Sequence, residues 1–185
     1  MINAVVWNDQ ERLLDSPYRL EDFRLLPGVA EAVRRMHEMG FLAVVVSNQP
    51  GVAKGKCTFE YVDEVTRKMH HEFALQGTHL DQVYYCYHHP AASFADLRIE
   101  CDCRKPKPGL LLRGCRELAI DPNESYMIGD QERDVEAGRA AGCTTILVRL
   151  EDCTTSAHLT ASSLPQAVEL IALRTAAKDY DGRSG

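Results

Sequence analysis

Five short apolar runs recur along the chain, each closed by polar or glycine-rich residues and separated by stretches with helical spacing. They cover residues 3–7 (NAVVW), 41–46 (FLAVVV), 80–86 (LDQVYYC), 125–128 and 143–148 (CTTILV). Runs this apolar suit strands buried on both faces, as in a parallel sheet covered by helices. The intervening segments supply those helices. VAEAVRRMHEMG places Val29, Ala32, Val33 and Met36 on one face and stops at Gly40. Thr58 caps a predicted helix over 59–75, LLLRGCRELA follows Pro108-Gly109, and further helices are predicted over 132–141 and 165–177. Strand and helix in alternation predict an α/β fold with a mostly parallel central sheet.

In such sheets the carboxyl ends of the strands hold ligands. Those ends carry residues 8–10, Ser47-Asn48, the loop leading to Lys105, and the segment from Asp130 to Asp134. The unusual polar clusters are therefore expected on one rim. A second constraint lies in CYHHPAASFADLRIECDCRKPKPG, residues 86–109. Cys86-Tyr-His88 and Cys101-Asp-Cys103 offer three thiolates and an imidazole, a donor set that suits a closed tetrahedral zinc site stapling the loop. His89 is the poorer ligand, because the partner two residues from Cys86 shares its side of an extended turn. The basic run Arg104-Lys105 follows the second pair directly, so the staple would hold cations where an anionic substrate needs them.

At 185 residues with 45% apolar content, the chain can bury a core as one domain, expected over 1–178 with a flexible tail at 179–185. The net charge of −6 argues against a nucleic-acid binder. Neither a membrane span nor a signal-peptide pattern stands out, which makes the cytoplasm the default. Outside the loop, Cys57, Cys115, Cys143 and Cys153 occur singly and read as reduced thiols.

LPGVAEAVRRM, VVVSNQPGVAKG, CYHHP with CDCRKPKPG, and MIGDQERDVEAGRAAG occur in an order and spacing that resemble the haloacid-dehalogenase-like (HAD) phosphatases. The likeness is to their small zinc-containing branch of heptose bisphosphate and histidinol-phosphate phosphatases, and it runs from about Ala4 to Val148. It implies a Rossmannoid three-layer sandwich without a large cap domain, acting on a small phosphorylated sugar. By position it implies phosphate contacts from Ser47, Asn48, Lys105 and Arg104. Asp130 would be a magnesium ligand supported by Asp134, and zinc would sit on Cys86, His88, Cys101 and Cys103. Lys54 and Lys56 follow the phosphate corner and could reach a second phosphate. A protein partner is equally compatible with the chain, and nothing in it specifies one.

In that family an aspartate at the end of the first strand attacks phosphorus and a second, two residues on, is the general acid. Aligned on the first apolar run, those positions hold Asn8 and Gln10, and a carboxamide neither attacks phosphorus nor delivers a proton. A slip of one residue would make Asp9 the nucleophile, at the cost of turning the strand's side chains over. Four readings follow: a phosphatase of impaired turnover, a silent phosphosugar-binding or partner-docking relative, an active phosphatase that uses Asp9 as nucleophile, and an engineered substrate trap.

Overall fold

The structure, a computed structural model, describes the chain except residues 9–11, 16, 18, 152–153 and 182–185; at residues 7, 8, 13–15 and 178–181 it describes the backbone alone. Asp9 and Gln10 thus lie outside the described residues, as does the side chain of Asn8. The elements are β1 (Val6–Asn8), β2 (Leu13–Asp15), α1 (Val29–Glu38), β3 (Val44–Asn48), α2 (Pro50–Ala53), α3 (Phe59–Leu75), β4 (Gln82–Cys86), α4 (Gly109–Glu117), β5 (Tyr126–Gly129), α5 (Glu132–Ala141), β6 (Thr144–Val148), β7 (Leu159–Ala161) and α6 (Leu164–Asp181). Local chemistry accounts for the boundaries. Thr58 accepts the Tyr61 N–H at 3.1 Å and starts α3. Gln131 and Asp134 form a reciprocal capping box on α5, and Gly142 in the left-handed region ends it. The closing helix runs on to Asp181, past the expected stop at Ala177.

Parallel pairing holds for two blocks. β3 pairs with β4 from Val44↔Gln82 to Asn48↔Cys86, while β5, β6 and β7 form a second parallel sheet. α4 and α5 pack below the strands, Leu110 against Tyr84 and Cys86, and Leu111 and Leu112 against Met127 and Cys143. On the opposite side α1, α3 and α6 join one core, in which Phe73, Val29, Val33 and Val168 are almost fully buried and Ile128 packs against them. Helix, sheet and helix make the expected three layers.

The first run departs from expectation. Rather than entering the parallel sheet, β1 pairs antiparallel with β2, Val6 opposite Asp15 and Asn8 opposite Leu13. A hairpin of two short strands satisfies its backbone groups without the main sheet. The backbone of Asn8 therefore belongs to the hairpin and not to a central strand of the parallel sheet. Between β3 and β5 no ladder forms among the described residues. A cleft of about 660 Å³ opens there, lined by Val44, Val45 and Val46 of β3 and by Met127 and Ile128 of β5. Every residue of β3 is only half-buried, unusual for VVVSN in the middle of an α/β domain.

Closeness of helix to sheet is tightest at Gly138 of α5, where an added Cβ would lie 2.5 Å from Met127 Cβ and 2.7 Å from Thr145 Cγ2. Gly138→Ala is expected to cost about 1–3 kcal/mol by overpacking, outweighing the better helix propensity of alanine. A urea titration checks this, with Gly77→Ala, where nothing lies within 4 Å of the added carbon, reporting backbone strain alone.

Candidate functional site

The rim at the carboxyl ends of β3 and β5 is assembled around Lys105. Its ammonium donates to Val46 O at 2.7 Å and pairs with Asp134 Oδ1 at 2.7 Å, with side chains only 11% and 8% exposed. Asn48, at the end of β3, grips the same residue's backbone: its Nδ2 donates to Lys105 O at 3.0 Å, and Lys105 N–H donates to its Oδ1 at 3.1 Å. The Asn48 carboxamide, expected on a phosphate, is thus engaged in placing the lysine. Asp134 is itself aimed by the α5 cap, its Oδ2 accepting the Gln131 N–H at 3.1 Å. Only glycine fits at 129, where a Cβ would come within 2.2 Å of Asp134 Cβ.

Ser47 lines the cleft beside Lys105, its hydroxyl accepting from Gln49 Nε2 at 3.3 Å. Asp130 sits across the mouth, its Oδ2 3.2 Å from the Met1 ammonium. Ser47, Lys105, Asp130 and Asp134 therefore line one opening. A neighbouring cleft of about 440 Å³ is lined by Asn48, Gln49, Lys54, Lys56 and Arg133. Arg133 went unnoticed in the sequence reading, although its place in the first turn after the Gly129-Asp130 corner points it toward this rim.

The loop after β4 gathers its four candidate ligands as spaced. Cys103 Sγ lies 3.1 Å from Cys101 Sγ, 3.2 Å from Cys86 Sγ and 3.3 Å from His88 Nδ1; Cys86 Sγ lies 3.7 Å from Cys101 Sγ and 3.9 Å from His88 Nδ1. A tetrahedral zinc shell with Zn–S of about 2.3 Å implies S···S separations of roughly 3.8 Å, so the four atoms are gathered to within about 0.7 Å of such a shell, with Cys103 drawn in closest. Burial pushes the Cys86 and Cys103 thiols up, while hydrogen bonds from its neighbours outweigh burial at Cys101 and bring it down. His89 turns away, its Nδ1 accepting the Ala91 N–H at 3.0 Å, and burial with the Arg104 and Lys54 cations keeps it below the usual imidazole range. Arg104 is tied to the knuckle through His88 O at 3.0 Å. The Asp102 carbonyl accepts the Gly109 N–H at 2.9 Å and leaves no room for a Cβ there, locking the basic run between knuckle and α4.

Comparison with known proteins gives a consistent picture. The HAD-hydrolase-like family model matches residues 102–171. The D-glycero-beta-D-manno-heptose-1,7-bisphosphate 7-phosphatases of Yersinia pestis and Escherichia coli (strain K12) are each 43% identical over 133 residues, covering 71% of this chain and 71% and 70% of theirs. Among solved structures, a HAD-like phosphatase from Mesorhizobium loti is similar with a TM-score of 0.76 and 28% identity, over 90% of this chain and 78% of its own. The D,D-heptose 1.7-bisphosphate phosphatase from B. bronchiseptica, complexed with magnesium and phosphate, has a TM-score of 0.73 and 25% identity, over 85% and 88%.

Lys105→Met strands a buried carboxylate and the Val46 carbonyl, and is expected to cost about 3 kcal/mol of stability. Asp130→Asn, at a half-exposed pair, should stay within about 1 kcal/mol. Chemical denaturation of the two variants checks the ordering.

Proposed function

The chain belongs to the haloacid-dehalogenase-like hydrolases, in their branch of heptose 1,7-bisphosphate phosphatases, and we propose that it binds the phosphate of a small phosphorylated sugar at the Ser47, Lys105 and Asp130 mouth. The observation that carries this is the fixed ammonium of Lys105, held by Val46 O, Asp134 and the Asn48 clamp beside the Ser47 hydroxyl. A cation held in place before the ligand arrives stabilises a phosphoryl group without reorganisation. Lys54, Lys56 and Arg133 around the adjoining cleft suit a second phosphate, in keeping with bisphosphates as substrates of the relatives. Arg104 is the further substrate contact.

Asp130 would hold magnesium, with Asp134 in support, and the ion when bound would neutralise charge on the phosphate oxygens. One rim carboxylate is few for this cation, so the site should be weak. Turnover is impaired for the same reason. Among the described residues, the carboxylates at the mouth are Asp130, facing an ammonium, and Asp134, committed to Lys105 and the α5 cap. The place from which a nucleophile could reach a phosphate between Ser47 and Asp130 is the end of the cleft between β3 and β5.

Phosphate release from heptose bisphosphate with magnesium tests this. The chain of 185 residues should bind yet release little. Asn8→Asp with Gln10→Asp should not help, because Asn8 pairs with Leu13 in the hairpin instead of ending a strand of the parallel sheet. Rescue by the double substitution alone would overturn the placement of the nucleophile, and vigorous release by the unaltered chain lost in Asp9→Ala would overturn the impaired reading.

Cys86, His88, Cys101 and Cys103 are assigned to structural zinc, supported by their mutual spacing. The thiols must ionise to bind, and Cys86 and Cys103 start from raised values, so zinc should be held more tightly at pH 8 than at pH 6. Competition with a chromophoric chelator at the two pH values reads this out. One equivalent of zinc is expected by elemental analysis, and unchanged thermal stability after its removal would withdraw the assignment.

A further inference from the structure

At the far end of β4 from Cys86, a second group of donors converges. His37 lies in the last turn of α1, and His79 and Asp81 lie in the loop that enters β4. His37 Nε2 is 3.1 Å from Asp81 Oδ2, and His79 Nε2 is 3.4 Å from Asp81 Oδ1. The two rings stack with centroids 4.5 Å apart and an interplanar angle of 22°. Five residues of strand separate Asp81 from Cys86, on the order of 16 Å, so this cluster is distinct from the thiolate knuckle and from the phosphate mouth.

We propose that His37, His79 and Asp81 form a second site for a divalent transition metal of the zinc class. The donor set is two imidazoles and one carboxylate, which zinc accepts alongside water. His37 is oriented for it: its Nδ1 lies 3.3 Å from the hydroxyl of Thr78, a residue only 7% exposed. With the proton on Nδ1 shared toward that hydroxyl, the Nε2 lone pair points to the metal position, the outer-shell arrangement typical of metal-binding histidines. Asp81 is held by the Ala43 N–H on Oδ2 at 2.7 Å. Although burial opposes it, that bond and the two imidazoles keep the carboxyl below its usual range and therefore anionic. Two imidazolium rings stacked this closely would repel one another, whereas a single dication satisfies both rings and the carboxylate together. His79 is largely exposed at 66%, which leaves the site an entry path from solvent and room for water ligands. Such an ion would join the end of α1 to the start of β4.

Zinc titrated calorimetrically into the full chain already carrying one equivalent tests the site. A second, weaker equivalent is expected, and His79→Gln should reduce its affinity at least tenfold while leaving the first unchanged. His37→Gln should do the same, and the double variant His70→Gln with His71→Gln on α3 should not. Cobalt as probe should show the second equivalent by ligand-field bands with no added thiolate charge-transfer absorption. Saturation at one equivalent, meaning a hydrogen-bonded His/Asp cluster only, would overturn the proposal. So would a second equivalent insensitive to His79→Gln or one that adds thiolate absorption.

Discussion

The ammonium of Lys105 is the point at which the two halves of the sheet are held to each other at the rim. It reaches Val46 O on β3 and Asp134 on α5, which follows β5. Because no backbone ladder joins β3 to β5 among the described residues, this contact does across the mouth what hydrogen bonds do elsewhere in the sheet. A buried ion pair gains little net free energy by itself, since desolvation offsets most of its attraction. Its value lies in position. The Asn48 clamp and the α5 capping box each place one partner, so the cation is fixed before any ligand arrives.

Away from the rim the halves are joined by apolar contact. Ile128 of β5 packs against the core that contains Val29, Phe73 and Val168, and against the one built on Ile146 and Ile171. The helical layers thus bridge a sheet that its backbone leaves divided. The cleft is lined mostly by apolar side chains, with Ser47, Lys105, Asp130 and Asp134 at its mouth.

Much of this was legible from pattern. Thr58, the Gly129-Asp130 corner and the helical stretch after it mark α3, β5 and α5 because caps and turns are local chemistry, decided within four or five residues. The gathering of Cys86, His88, Cys101 and Cys103 was equally legible, since two pairs of soft ligands in one loop have few structural alternatives. Residues 3–7 were not. An apolar run satisfies the sequence signature of a buried parallel strand and of a hairpin arm alike, and its partner is chosen by distant residues, here Leu13 to Asp15. β7 was overlooked for a related reason: LTA is too short to show any period. The task of Asn48 was hidden too, because a carboxamide at a strand end serves a phosphate or a backbone equally well and only the approach of Lys105 decides between them.

Charge distribution completes the account. A chain of net charge −6 repels phosphorylated sugars at long range, yet screening confines that repulsion to about 8–10 Å at physiological ionic strength. Within that distance of the mouth the local arrangement decides, and there the knuckle, the Asn48 clamp and α5 concentrate Arg104, Lys105 and Arg133 while Asp134 is neutralised by its partner. The local excess of positive charge thus arises from where three loops are anchored rather than from how many basic residues the chain contains. The loops after β4 and β5 bring their cations to the rim because each is anchored at both ends, Arg104 and Lys105 by the knuckle and the Asn48 clamp, Arg133 by the capped start of α5.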